Sequence, residues 1–127
     1  MRICIAGGPQ VGKTTLAREL HGSRTGWTLC STDETGLVLD WSAQSDSVVP
    51  FLNHEGPWIV EGVPVIRALR KWLRSHPTGQ PCDTLYWRFA ARQTRSEGQE
   101  RLAKGCLATF NEIRGDLERR GVQILTF

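Results

Sequence analysis

Residues 7–14 read GGPQVGKT and fit the spacing G-x-x-x-x-G-K-[ST] with Gly7, Gly12, Lys13 and Thr14. The spacing constrains the fold because it works only where a strand turns directly into a helix. The two glycines let the backbone wrap closely, so that successive N–H groups point at phosphate oxygens, and the helix N-terminus adds the positive end of its dipole. Lys13 then reaches the β- and γ-phosphates, and Thr14 offers a hydroxyl to Mg²⁺. The flanks supply the required context. "RICIA" (2–6) reads as a strand, and "KTTLARELH" (13–21) as a helix with Leu16, Ala17 and Leu20 inward. A chance match of this kind falls well below about 1% for a chain of this length.

The rest of the chain repeats the alternation of strand and helix. "WTLC" (27–30), "PWIVEG" (57–62), "TLYWRF" (84–89) and "VQILTF" (122–127) read as strands. Between them lie three helical patterns. "SAQSDSVVPFLN" (42–53) is broken or kinked by Pro50, and Val65, Ile66, Leu69, Trp72 and Leu73 recur at helical spacing behind Pro64. Leu102, Cys106, Phe110, Ile113 and Leu117 line one face of a long helix. That helix opens on a capping box of Ser96 and Gln99 and is closed by Gly121. This order predicts an α/β fold with a parallel sheet. With 127 residues the chain has room for one domain, 1–127, with a short lid around residues 90–98.

Parallel sheets bind ligands at the carboxyl ends of their strands, so the polar residues found there carry the chemistry. The second strand ends in "STDE", placing Thr32, Asp33 and Glu34 beside the phosphate loop, and the third ends in "VEG", placing Glu61 there. Such carboxylates hold Mg²⁺ or accept the proton of an attacking hydroxyl or water. The alternative use of Asp33 is a helix cap or turn, which the same residue type also favours. Arg88, Arg92, Arg95, Arg101 and Lys104 gather at the junction of the fourth strand and the last helix. Arginine's fork suits a migrating phosphoryl group, but the sequence does not single out which arginine serves.

Three further features are weighed against plainer uses. Arg67, Arg70, Lys71 and Arg74 share one helix face, which reads as a solvated face rather than a nucleic-acid contact. Trp58, Trp72 and Trp87 fall in core-facing elements, whereas Trp41 follows the second-strand carboxylates where an acceptor would lie, and stacking on a base and half-buried packing are equal uses for it. Cys4, Cys30, Cys82 and Cys106 form no CxxC pair and read as reduced thiols, with no metal cluster among them and the three histidines. A net charge of +3, no membrane-length apolar run and no leader-like start place the chain among soluble cytoplasmic proteins.

The set "GGPQVGKTT", "STD", "IVEG" and an arginine-bearing segment before the last helix resembles the P-loop kinases of the adenylate, nucleoside and shikimate kinase type. It is similar above all to small P-loop ATPase or kinase proteins encoded by phages and prophages. The resemblance implies a three-layer sandwich with a five-stranded parallel sheet in the order 2-3-1-4-5. It implies ATP bound with Mg²⁺ by Gly7, Gly8, Pro9, Gln10, Val11, Gly12, Lys13, Thr14 and Thr15. Thr14, Asp33 and Glu61 would stand at the metal, and Asp33 or Glu61 would serve as base. Arg92, Arg95 and Arg101 match the phosphate-clamping lid arginines. Asp33, Trp41 and Arg101 would meet a nucleoside- or nucleotide-like acceptor. Residues 31–56 contain no Arg or Lys, which turns the expectation from a tightly gripped monophosphate toward a nucleoside or a nucleic-acid end. The rival reading is a slow ATPase that acts as a nucleotide-dependent regulatory protein.

Overall fold

The computed structural model describes residues 1–32 and 41–127, and side chains outside 41–43. Its elements are β1 (Arg2–Gly7), α1 (Lys13–Gly22), β2 (Thr28–Ser31), α2 (Trp41–Leu52), β3 (Trp58–Glu61), α3 (Val65–Ser75), β4 (Thr84–Arg88), α4 (Glu97–Arg119) and β5 (Gln123–Thr126). The five strands form one sheet in the order β2-β3-β1-β4-β5, with every neighbouring pair parallel. The α/β class and the strand order both agree with the sequence-based expectation.

Alternation along β1 sorts the core into two faces, because successive side chains of a strand point to opposite sides of its sheet. Ile3 and Ile5 pack with Ala17 of α1 and with Ile59, joined by the half-buried Leu16 and Leu20. Cys4 and Ala6 face the larger cluster, which takes Val48 and Leu52 from α2, Ile66, Leu69 and Trp72 from α3, and Phe110 and Leu117 from α4. Helices therefore cover both faces of β1, as a buried parallel strand requires. Trp58, Trp72 and Trp87 are buried core residues, and the Trp87 ring stacks on Phe110 at 4.2 Å between centroids.

One local expectation differs from the structure in detail. Pro50 lies inside α2, which continues to Leu52 instead of breaking. Its missing N–H costs one helical hydrogen bond close to the helix end. Asn53 and His54 then close the turn through N–H bonds of 3.1 Å to the carbonyls of Pro50 and Phe51. The four cysteines are free thiols, with Cys4, Cys82 and Cys106 buried.

Candidate functional site

β1 delivers the chain into the glycine-bounded loop at the carboxyl edge of the sheet, between β3 and β4. Gly12 caps α1 with φ 90°, a left-handed conformation that a side chain would strain. Gly8 is required for a different reason. A Cβ there would stand 2.7 Å from the Ala103 Cβ and 2.8 Å from its Cα, so the loop lies directly on α4. Lys13 is 5% exposed, and its Nζ crosses the loop to donate to the Gly8 carbonyl at 2.7 Å. Gln10 has φ 64°, and is the one non-glycine residue with positive φ among those described.

Glu61 ends β3 with no solvent exposure, in register with Ile5 of β1 and Ser31 of β2. Its Oε1 accepts a hydrogen bond from the Thr14 hydroxyl at 3.1 Å. The hydroxyl of Thr32, where β2 runs out, donates to the Glu61 backbone carbonyl at 3.0 Å. A buried carboxylate oxygen and a hydroxyl thus meet at the first turn of α1. This hard-oxygen pair fits a Mg²⁺ ion that also takes phosphate and water ligands. Burial pushes the Cys30 thiol up, and the neighbouring Glu61 charge adds to the rise. Cys30 therefore stays protonated at neutral pH and is a packing neighbour of the site, not a nucleophile.

The segment from β4 to α4 lies against the same loop. The Arg92 N–H donates to the Gln10 carbonyl at 2.7 Å, and the Arg92 Nε stands 3.0 Å from the position of a Cβ on Gly12. The Arg95 side chain is only 2% exposed. Its Nε donates to the Pro9 carbonyl at 2.7 Å, and a terminal nitrogen donates to the Phe89 carbonyl at 2.8 Å. Arg88 faces elsewhere, bonding the carbonyls of Ala90 and Phe127. Arg101 and Lys104 are exposed on the first turns of α4.

The structure thus brings Lys13, Thr14, Glu61, Arg92 and Arg95 to one place. Asp33 lies outside the described residues. Trp41 begins α2, and its side chain lies outside them as well. On α3, Arg70 and Arg74 pair with Glu112, at 3.1 and 3.2 Å, and Lys71 pairs with Asp46 at 2.7 Å. Two carboxylates, Glu112 and Asp46, thus offset part of the positive charge of that face. Sequence reasoning missed the packing of Gly8 on Ala103 and the use of loop carbonyls as acceptors. The one signal for the former is a small residue, Ala103, on the buried face of α4. Among the described residues no group of three or more His, Cys, Asp or Glu side chains forms a metal cluster, and no helix is long and apolar enough to cross a membrane.

Searches by sequence find no matching protein-family model and no matching curated protein. Among solved structures the chain is similar to a shikimate kinase from Acinetobacter baumannii in complex with shikimate. The match has a TM-score of 0.55 and 16% identity, and covers 98% of this chain and 81% of that one. The chain thus shares with that structure an α/β fold built on a five-stranded parallel sheet.

Proposed function

We propose that the chain is an ATP-dependent phosphotransferase that moves the γ-phosphoryl group to a small hydroxyl-bearing acceptor, with nucleosides and nucleotides the leading class. The observation that carries this reading is the Thr14–Glu61 contact of 3.1 Å beside a buried Lys13, at the mouth of a glycine-bounded loop. Lys13 is placed to leave the Gly8 carbonyl for the β- and γ-phosphates, exchanging one acceptor for a charged one. Thr14 and Glu61 would hold Mg²⁺, which when bound draws charge from the phosphate oxygens. Arg92 and Arg95 supply positive charge at the same edge, and Arg101 lies further along α4. In the transfer, the acceptor oxygen bonds to the γ-phosphorus as the bond to the β–γ bridging oxygen breaks. The acceptor's proton passes to a carboxylate. With Glu61 bonded to Thr14, Asp33 is the residue assigned to receive that proton, and Trp41 to lie against the acceptor.

The test is incubation with γ-labelled ATP and Mg²⁺ against nucleosides, nucleoside monophosphates, 5′-hydroxyl oligonucleotides and shikimate, the compound bound by the structural neighbour. Label on one acceptor class, lost in Lys13→Ala, is the expected result. Release of labelled phosphate with no labelled acceptor would replace transfer by slow hydrolysis.

A further inference from the structure

Arg92 and Arg95 are alike in sequence but stand differently against the loop. Three successive loop carbonyls are tied off. Gly8 accepts from Lys13 Nζ, Pro9 from Arg95 Nε, and Gln10 from the Arg92 backbone N–H, each at 2.7 Å. The Pro9–Gln10 and Gln10–Val11 peptides are trans, so each carbonyl points opposite to the N–H that follows it. A hydrogen bond that fixes the Pro9 carbonyl therefore aims the Gln10 N–H the other way. Gln10 needs such a hold, because a non-glycine residue at φ 64° sits in a sparsely populated region that its surroundings must enforce.

We infer that Arg95 is a positioning residue rather than a phosphate clamp: it braces the Pro9–Gln10 peptide so that the Gln10 N–H stays aimed at the nucleotide's phosphates. Its guanidinium is committed to this task. Besides Pro9, it bonds the Phe89 carbonyl, lies 4.0 Å from Glu100 Oε2, sits 5.6 Å from the centroid of the Phe89 ring, and is nearly sealed from solvent. Arg92 differs in being exposed, with its side chain lying over Gly12. The charge that follows the migrating phosphoryl group is then assigned to Arg92. This division rests on the proposed nucleotide site, but the brace itself belongs to the nucleotide-free loop.

The test is a double-mutant cycle on ADP affinity, with Arg95→Ala and Arg95→Lys each made in the wild-type and the Gln10→Gly backgrounds. Glycine adopts φ 64° without strain, so a brace matters less once it is present. Removing Arg95 is expected to weaken ADP binding about tenfold in the wild-type background and no more than about twofold beside Gln10→Gly. Equal losses in both backgrounds would overturn the brace and restore a clamp. Arg95→Lys keeps the charge but not the fork, and follows Arg95→Ala if position is what counts. The second readout needs no nucleotide. The amide order parameter of Gln10 in the free protein should fall from about 0.85 to below about 0.6 in Arg95→Lys, with β1 unchanged. An unchanged Gln10 amide would overturn the proposal even where ADP affinity falls. If the wild-type protein binds no ADP, the nucleotide reading fails, and the amide readout still decides the brace.

Discussion

At Gly8 a single methyl group separates a working loop from a displaced one, since the space a Cβ would need is filled by Ala103. Gly8→Val should lower stability by about 1–3 kcal/mol through overpacking, read by denaturant unfolding, and should abolish the ATP-induced thermal shift. A wild-type shift in that variant would mean the loop is not the phosphate site. Asp83 offers a residue-scale test by pH. Burial pushes its carboxyl up, but the Arg2 N–H at 2.7 Å and the Arg2 guanidinium at 3.4 Å outweigh this and hold it below the usual range. A carboxyl depressed in the folded state stabilises above its unfolded value, near pH 4, and that contribution is lost as pH falls through the folded value. Asp83→Asn should therefore flatten the acid limb of a plot of melting temperature against pH below about 4, and an unaltered limb would show that the bond contributes nothing. At this scale Lys13, Thr14 and Glu61 were legible because they belong to a motif or a strand end. The contact of Arg95 with Pro9 was not, because it joins residues 86 positions apart and no local pattern encodes it.

Among the elements, α4 carries the clearest start signal. Ser96 accepts from the Gln99 N–H at 3.2 Å, and the Gln99 side chain accepts from the Ser96 N–H at 2.9 Å. Ser96→Ala should cost about 1 kcal/mol, measured by urea unfolding. It should also weaken nucleotide binding, since Arg95 immediately precedes the cap. Loss of stability with unchanged affinity would show that the helix start does not position the loop. The pairs from α3 to Glu112 are exposed, and such pairs contribute little. Glu112→Ala should leave the melting temperature near wild type. Among the described residues, the five strands and four helices were legible from local sequence pattern, with ends shifted by a residue or two. Pro50 misled because the residue type signals a break, whereas its place near the end of α2 makes the lost hydrogen bond a small matter.

For the whole molecule, the core is continuous from α2 through α3 to α4 on one face of the sheet. Trp87 lies in this core, paired with Ala6 immediately before the phosphate loop, so Trp87→Ala should cost about 3–5 kcal/mol in chemical unfolding. A loss below about 1 kcal/mol would mean that the core can collapse around the vacancy. The strand order was legible through resemblance more than through periodicity, because which strands pair is a property of chain returns and not of any window of sequence. That same order has a consequence for how the chain comes into being. β1 lies at the centre of the sheet, yet its partners β3 and β4 begin only at Trp58 and Thr84, and Arg95 follows later still. During synthesis the loop emerges ahead of these elements and waits for them before it is shaped. A nascent chain halted before β4 has the complete motif and no built site, so the geometry of the loop should be acquired only once β3, β4 and the segment after β4 are in place.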